Sequence, residues 1–145
     1  MKALIQRVTS ANVVVEGGTV GAINQGLLVF IGVEKNDTLL EADKVINKLL
    51  SYRVFTDSEG KMNLSVSDVA GGVLLISQFT LAADTKSGTR PGFSTAKPPV
   101  EAQSIYDYMV ERFKSKHSDV ASGVFGADMQ VSLVNDGPVT FLLTC

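Results

Sequence analysis

Apolar residues along the chain follow two patterns, one typical of strands and one typical of helices. Residues 2–15 are rich in β-branched side chains and end at the turn signal Gly17-Gly18, so we expect a strand there. A short return strand is expected at 19–23. The continuous apolar runs at 26–34 and 73–83 predict two central strands, because fully buried strands need apolar residues on both faces.

Two amphipathic helices are predicted from apolar residues at helical spacing. The first helix follows Asn36 and Asp37, which are suitable capping residues, and runs for about four turns. The second helix follows Pro98-Pro99, and we expect its apolar stripe to face the core. That stripe consists of Ala102, Ile105, Tyr106, Met109, Val110 and Phe113.

The order of these elements narrows the fold. Residues 53–55 look extended, and 127–135 and 139–144 predict closing strands joined by a turn at Asp136-Gly137-Pro138. Strands and helices do not alternate regularly, which disfavours a doubly wound nucleotide-binding fold. We therefore expect an α/β fold of the α+β kind. Its antiparallel or mixed β-sheet would form a barrel-like core with two packed helices, and residues 1–145 would make a single domain.

Composition and charge limit the classes of function. The net charge is −2 and the pI is about 5.3, which argues against a wholly basic surface for bulk nucleic-acid binding. The first residues do not resemble a signal peptide, and no apolar run approaches a membrane helix, so no membrane association is expected. The one cysteine, Cys145, favours a reducing compartment, and we expect a cytoplasmic protein.

The few reactive side chains exclude several mechanisms. The only histidine, His117, lies in a polar segment near the end of the second helix, and we expect it to be solvated. A Ser-His-Asp mechanism is therefore disfavoured. One histidine and a terminal cysteine do not supply a usual set of zinc ligands, so we expect no metal and no cofactor. Strand alternation at 77–81 would place Ser77, Phe79 and Leu81 on one face.

Two strings in the sequence carry a resemblance to a known family. SQFTL at 77–81 and NDGPVT at 135–140 resemble the two signature motifs of the D-aminoacyl-tRNA deacylases. The likeness continues in the same order through GLLVFIGVEK, YRVFTDSEGKMNLSV and ADMQVSLVNDGPVTF, and it covers essentially the whole chain. The resemblance implies hydrolysis of the ester between a D-amino acid and the 3′ end of tRNA, with glycine mischarged on tRNA as a further substrate.

The same resemblance implies a homodimer with two active sites at its interface. SQFTL would come from one subunit, and Gly137-Pro138, as a cis peptide, would come from the other. The carbonyl groups of that pair would clash with an L side chain but admit a D-amino acid. Arg7 matches the position that helps to hold this motif. The residues expected to orient the substrate or line its pocket are Ser77, Gln78, Phe125 and Met129.

The mechanism and the tRNA contacts leave alternatives open. Thr80 is a candidate nucleophile, although no general base is in evidence. Alternatively, backbone N–H groups near Phe79 and Thr80 stabilise the oxyanion, and the terminal 2′-hydroxyl of the tRNA assists the attack. Candidates for contacts with the terminal phosphates are Lys86, Arg90 and Lys97. Two other functions stay open: an esterase or peptidase for small D-amino-acid derivatives, and a non-catalytic RNA-binding module.

Overall fold

The computed structural model describes all 145 residues and contains eight strands and two α-helices. The strands are β1 (Lys2–Val15), β2 (Gly18–Ile23), β3 (Gly26–Gly32), β4 (Phe55–Thr56), β5 (Met62–Leu64), β6 (Gly72–Ser77), β7 (Val120–Ser122) and β8 (Gln130–Thr144). The helices are α1 (Leu39–Ser51) and α2 (Pro99–Lys116). No helix is both long and apolar enough to cross a membrane.

The main sheet is built around β1 and is of mixed type. β1 pairs antiparallel with β2, β3 and β8, whereas β3 with β6 and β6 with β7 are parallel pairs. The sheet curls until its two ends meet, since a Cβ added at Gly21 of β2 would lie 3.0 Å from the Ser122 carbonyl oxygen of β7. The predicted mixed sheet, with a barrel-like core and two helices, is confirmed.

The helices contribute much of the largest buried apolar cluster. All six residues of the stripe predicted on α2 are buried, which confirms that interpretation. The prediction that Asn36 or Asp37 caps α1 is wrong. Thr38 is the N-cap and forms a capping box with Glu41. Asp37 is buried instead and accepts a hydrogen bond from the Met1 amino group at 2.7 Å. Burial alone would lower the pKa of that amino group, but hydrogen bonds to Asp37 and Glu34 raise it.

The strand predicted at 73–83 ends at Ser77, so the expected alternation through Leu81 is wrong. Residues Phe79–Ala82 form a single 3-10 turn, and its first hydrogen bond runs from the Leu81 N–H to the Gln78 carbonyl at 3.2 Å. The turn packs against the end of β3 at Gly32. A Cβ there would lie 2.7 Å from Leu81 Cβ and 3.1 Å from the Gln78 oxygen. Glycine at this position therefore allows the chain to turn.

The predicted turn at Asp136-Gly137-Pro138 is also wrong as a reversal of the chain. β8 continues along β1 on both sides of it, since Val8 pairs with Asn135 and Gln6 pairs with Thr140. Residues 136–139 therefore form a bulge opposite the single residue Arg7.

Three other local predictions differ from the structure. β5 and β7 are short strands that the pattern did not predict, and the extended segment expected at 53–55 lies partly in β4. His117 is half-buried rather than solvated, and its Nε2–H donates to the Gly71 carbonyl at 2.6 Å. This contact ties the end of α2 to the glycine pair that begins β6.

Candidate active site

A cavity of about 880 Å³ lies between the end of β6, the start of α2 and the segment 125–131. It brings together six of the residues singled out from the sequence, from three separate parts of the chain. These residues are Ser77, Gln78, Phe79, Lys97, Phe125 and Met129. A concave, largely apolar space with a few polar groups is the usual form of a small-molecule site.

The floor of the cavity is fixed by packing. The ring of Phe125 lies 5.9 Å from the ring of Tyr106 on α2, and the Tyr106 hydroxyl donates to the Leu75 carbonyl at 2.8 Å. Burial raises the pKa of the Tyr106 phenol, so this group stays neutral at physiological pH. Met129 packs over Gly123, where an added Cβ would lie 2.6 Å from the Met129 sulfur.

The 3-10 turn supplies polar groups beside the cavity but no base. The Gln78 side-chain amide donates to Thr80 Oγ1 at 2.6 Å, and Thr80 is exposed and does not line the cavity. An amide is not a proton acceptor at neutral pH, so Thr80 has no activating partner in this chain. The N–H groups of Phe79 and Thr80 precede the first hydrogen bond of the turn and have no partner within it.

Two aromatic rings, Phe79 and Phe93, and two lysines, Lys35 and Lys97, lie at the mouth of the cavity. Phe79 and Phe93 are exposed, and their ring centroids are 5.1 Å apart. The Lys97 side chain is only 10% exposed, because its Nζ donates to the Lys35 carbonyl at 2.9 Å and lies 3.7 Å from the Glu101 carboxylate. Lys97 therefore ties the 84–99 loop to the segment that follows β3, and it also lines the cavity.

Sequence reasoning missed Lys35, which is exposed, lines the cavity and makes no ion pair. Its place directly after the apolar run 26–34 was the available signal, since polar residues at strand ends often form sites. Lys86 and Arg90, by contrast, are exposed in the 84–99 loop and do not line the cavity.

The Gly137-Pro138 pair lies on the exposed bulge of β8 and does not line the cavity of its own chain. The peptide bond between the two residues is cis, and Gly137 has a φ of +141°. Arg7 supports the bulge from β1: its Nε donates to the Asp136 carbonyl at 2.9 Å, and its Nη1 donates to the Val54 carbonyl at 2.8 Å. The residues of the two signature strings thus occupy two separate places in one chain.

Comparison with known proteins shows the family to which the chain belongs. The family described as D-Tyr-tRNA(Tyr) deacylase matches residues 4–144. This chain belongs to that family. The resemblance noted in the sequence is thereby confirmed. Family members with the name D-aminoacyl-tRNA deacylase include one from Saccharophagus degradans, 62% identical over 144 residues, and one from Pseudomonas fluorescens, 64% identical over 143 residues. Each alignment covers 99% of both chains.

Solved structures agree with the fold expected of a D-Tyr-tRNA(Tyr) deacylase family member. One, titled "c-Myc DNA Unwinding Element Binding Protein", is 39% identical with a TM-score of 0.95, covering 100% of this chain and 99% of that one. Another is titled as a structural analysis of a probable eukaryotic D-amino acid tRNA deacylase. It has a TM-score of 0.86 at 15% identity, covers 98% of this chain and 97% of that one, and supports the fold alone.

Proposed function

We propose that this protein hydrolyses the ester bond of D-aminoacyl-tRNA to release free tRNA and a D-amino acid. The observation that carries the proposal is the cavity of about 880 Å³, walled by Ser77, Gln78 and Phe79, in a chain of this family. Glycine mischarged on tRNA is a second substrate, because it has no side chain to be excluded. Aminoacyl-tRNA is consumed in translation, so we place the activity in the cytoplasm.

The chiral selection needs a second copy of the chain. Gly137 and Pro138 are exposed and lie outside their own cavity, so we propose that the bulge enters the cavity of a partner in a homodimer. There the backbone carbonyls would crowd the α-carbon of the substrate and leave room for hydrogen or a D side chain only. Exposed apolar residues on the same strand support an interface here, namely Val134, Phe141 and Leu142.

The chemical step needs few side chains. Water adds to the ester carbonyl carbon, negative charge collects on the carbonyl oxygen, and the bond to the ribose 3′-oxygen breaks as that oxygen takes up a proton. We propose that the N–H groups of Phe79 and Thr80 stabilise the oxyanion. The neighbouring 2′-hydroxyl of the tRNA assists the attack, while Ser77 and Gln78 orient the substrate. The absence of a base beside Thr80 Oγ1 supports this route over a threonine nucleophile.

A Thr80→Ala enzyme is expected to keep near-normal turnover of D-Tyr-tRNA, because the proposed role of residue 80 belongs to its backbone N–H. Single-turnover deacylation would measure the rate, and Thr80→Ser serves as the conservative control. A fall in rate of about 10³ or more in Thr80→Ala, with activity kept in Thr80→Ser, would make the hydroxyl the nucleophile or water-orienting group instead.

The basic residues near the cavity would grip only the end of the tRNA. We propose that Lys86 and Arg90 contact the terminal phosphates and that Lys97 acts from the cavity mouth. Each single-stranded phosphate contact contributes about −0.7 to the slope of log affinity against log salt concentration. Lys86→Gln and Arg90→Gln should each make that slope shallower by this amount. Lys114→Gln, on the far end of α2, is the charge-matched control, and equal slopes in all variants would remove the proposed contacts.

Deacylation of D-Tyr-tRNA and L-Tyr-tRNA by the purified protein, with a chelator present, tests the proposed function directly. Release of the D form alone is the expected result. Equal rates would retain the reaction but remove the proposed filter, and no release would favour the RNA-binding module. A D-tyrosyl ester without the terminal ribose distinguishes the remaining alternative, since only a general D-amino-acid esterase would hydrolyse it at a comparable rate.

A further inference from the structure

The bulge of β8 is bounded by two residues that still pair with β1. Asn135 pairs with Val8 before the bulge, and Thr140 pairs with Gln6 after it. The backbone between them is released from the ladder, so it must be held by side chains if Gly137 and Pro138 are to keep one position. A loop on a sheet edge without such contacts would be free to tilt.

The side-chain amide of Asn135 bridges the two ends of the bulge through both its oxygen and its nitrogen. Its Oδ1 accepts a hydrogen bond from the Val139 N–H at 2.7 Å, and its Nδ2 donates to Thr140 Oγ1 at 2.9 Å. The orientation of the amide is set by these partners, because a backbone N–H needs an acceptor opposite it. One half-buried side chain therefore ties the residue before the bulge to the two residues at its far end.

Arg7 and Gln6 of β1 complete the support of the bulge. Arg7 Nε holds the near side of the bulge through the Asp136 carbonyl at 2.9 Å, as described above. Thr140 Oγ1 has two lone pairs, and it accepts from Asn135 Nδ2 and, at 3.4 Å, from Gln6 Nε2. Arg7 thus holds one end of the bulge, and the Asn135–Thr140 contact fixes the distance between the two residues at which the bulge begins and ends.

We propose that Asn135 and Thr140 are positioning residues for chiral discrimination, acting through the projection of Gly137 and Pro138. The inference rests on the proposed role of that pair as a wall against L substrates. Neither Asn135 nor Thr140 lines the cavity of its own chain, so their effect would be indirect. Displacements of about 1 Å at a reacting centre can change rates by about a hundredfold, and a wall that retreats by that distance would admit an L side chain.

The test compares kcat/KM for D-Tyr-tRNA and L-Tyr-tRNA in four variants and measures the thermal midpoint of each. Asn135→Ala removes both hydrogen bonds and should lower the D-to-L preference by about tenfold or more, with a smaller change in kcat/KM for the D substrate. Thr140→Val keeps the shape and removes the two hydrogen bonds that Thr140 Oγ1 accepts, but it leaves the bond between Asn135 and Val139, so it should give a smaller shift. Thr140→Ser should restore the wild-type preference. The double variant of Asn135→Ala with Thr140→Val should nearly match Asn135→Ala alone, because the bond between the two residues is already lost and the only further loss is the 3.4 Å bond from Gln6.

The controls separate this inference from the function on which it rests. Ser132→Ala, at an exposed position of the same strand, should leave the preference unchanged. If Gly137→Ala alters the D-to-L preference but Asn135→Ala does not, the positioning inference alone is overturned. If neither does, the proposed wall is overturned with it. Equal loss with both substrates and a lowered thermal midpoint in Asn135→Ala would mean a purely structural role. Should that variant fail to fold, the shape-conserving Thr140→Val decides by the same ratio.

Discussion

A Gly137→Ala enzyme is expected to accept L-Tyr-tRNA, with the preference for the D form lowered by about a hundredfold. The φ of +141° is one that L side chains rarely adopt, and an added Cβ would lie 2.7 Å from Val139 Cγ2 and 3.1 Å from Val139 N. Arg7 Nη2 would lie 3.2 Å away from the same Cβ, so the glycine is closely surrounded. The bulge must therefore move. The measurement is the ratio of kcat/KM for the two substrates.

Gly60→Ala provides the matched control for this substitution. Gly60 also has a positive φ, of +78°, but lies in the β4–β5 hairpin with nothing within 4 Å of an added Cβ. Alanine there also carries a backbone cost, about 1–2 kcal/mol for the left-handed region, but meets no collision, so the D-to-L ratio of Gly60→Ala should equal that of the wild type. An unchanged ratio in Gly137→Ala would show that the position of this glycine does not set chirality.

Gly32→Ala should reduce hydrolysis of D-Tyr-tRNA by about a hundredfold, although the residue lies outside the cavity. The added Cβ would lie 2.7 Å from Leu81 Cβ and 3.1 Å from the Gln78 oxygen, so the 3-10 turn must shift away from β3. The N–H groups that we propose for the oxyanion are on that turn. Overpacking of this kind costs about 1–3 kcal/mol of stability, which leaves a folded enzyme for kinetic measurement.

The control for Gly32→Ala is Gly18→Ala in β2. An added Cβ at Gly18 would lie 3.7 Å from the Val15 oxygen, which is ordinary van der Waals contact. Chemical denaturation should confirm that both variants are folded at the assay temperature, and only Gly32→Ala should lose turnover. Wild-type turnover in a folded Gly32→Ala enzyme would contradict the link between this glycine and the catalytic turn.

Local patterns predicted the parts of the fold that local forces decide. The stripe of α2, from Ala102 to Phe113, was confirmed because helical periodicity reports directly on burial. The strand predicted at 73–83 was wrong past Ser77, because the apolar residues of the 3-10 turn look like strand residues. The 3-10 turn that follows the strand packs closely against Gly32 in another strand, and no local pattern contains that contact. The capping residue of α1 was missed for a similar reason, since Asp37 is taken by the Met1 amino group.

In the candidate site, too, the resemblance predicted some residues, whereas contacts between distant segments were not predictable. The resemblance predicted Phe125 and Met129 as pocket residues, and both line the cavity. The contacts of Lys97 depend on the Lys35 carbonyl and Glu101, which only the folded chain brings near. Whether the 136–138 segment reverses the chain depends on whether the residues on both sides of it pair with β1, and no local pattern contains that long-range contact.

The pairing of β1 with β8 has a consequence for how the protein folds. Lys2 pairs with Thr144 and Val14 pairs with Gln130, so the most extensive pairing in the sheet joins segments far apart in sequence. Closing loops of that length before any contact is gained makes folding slow. Until β8 pairs with β1, one edge of β1 has unpaired backbone N–H and C=O groups. Such edges can pair with strands of other chains. Refolding from denaturant is therefore a competition between β8 and neighbouring molecules, and its yield should rise as the protein is diluted.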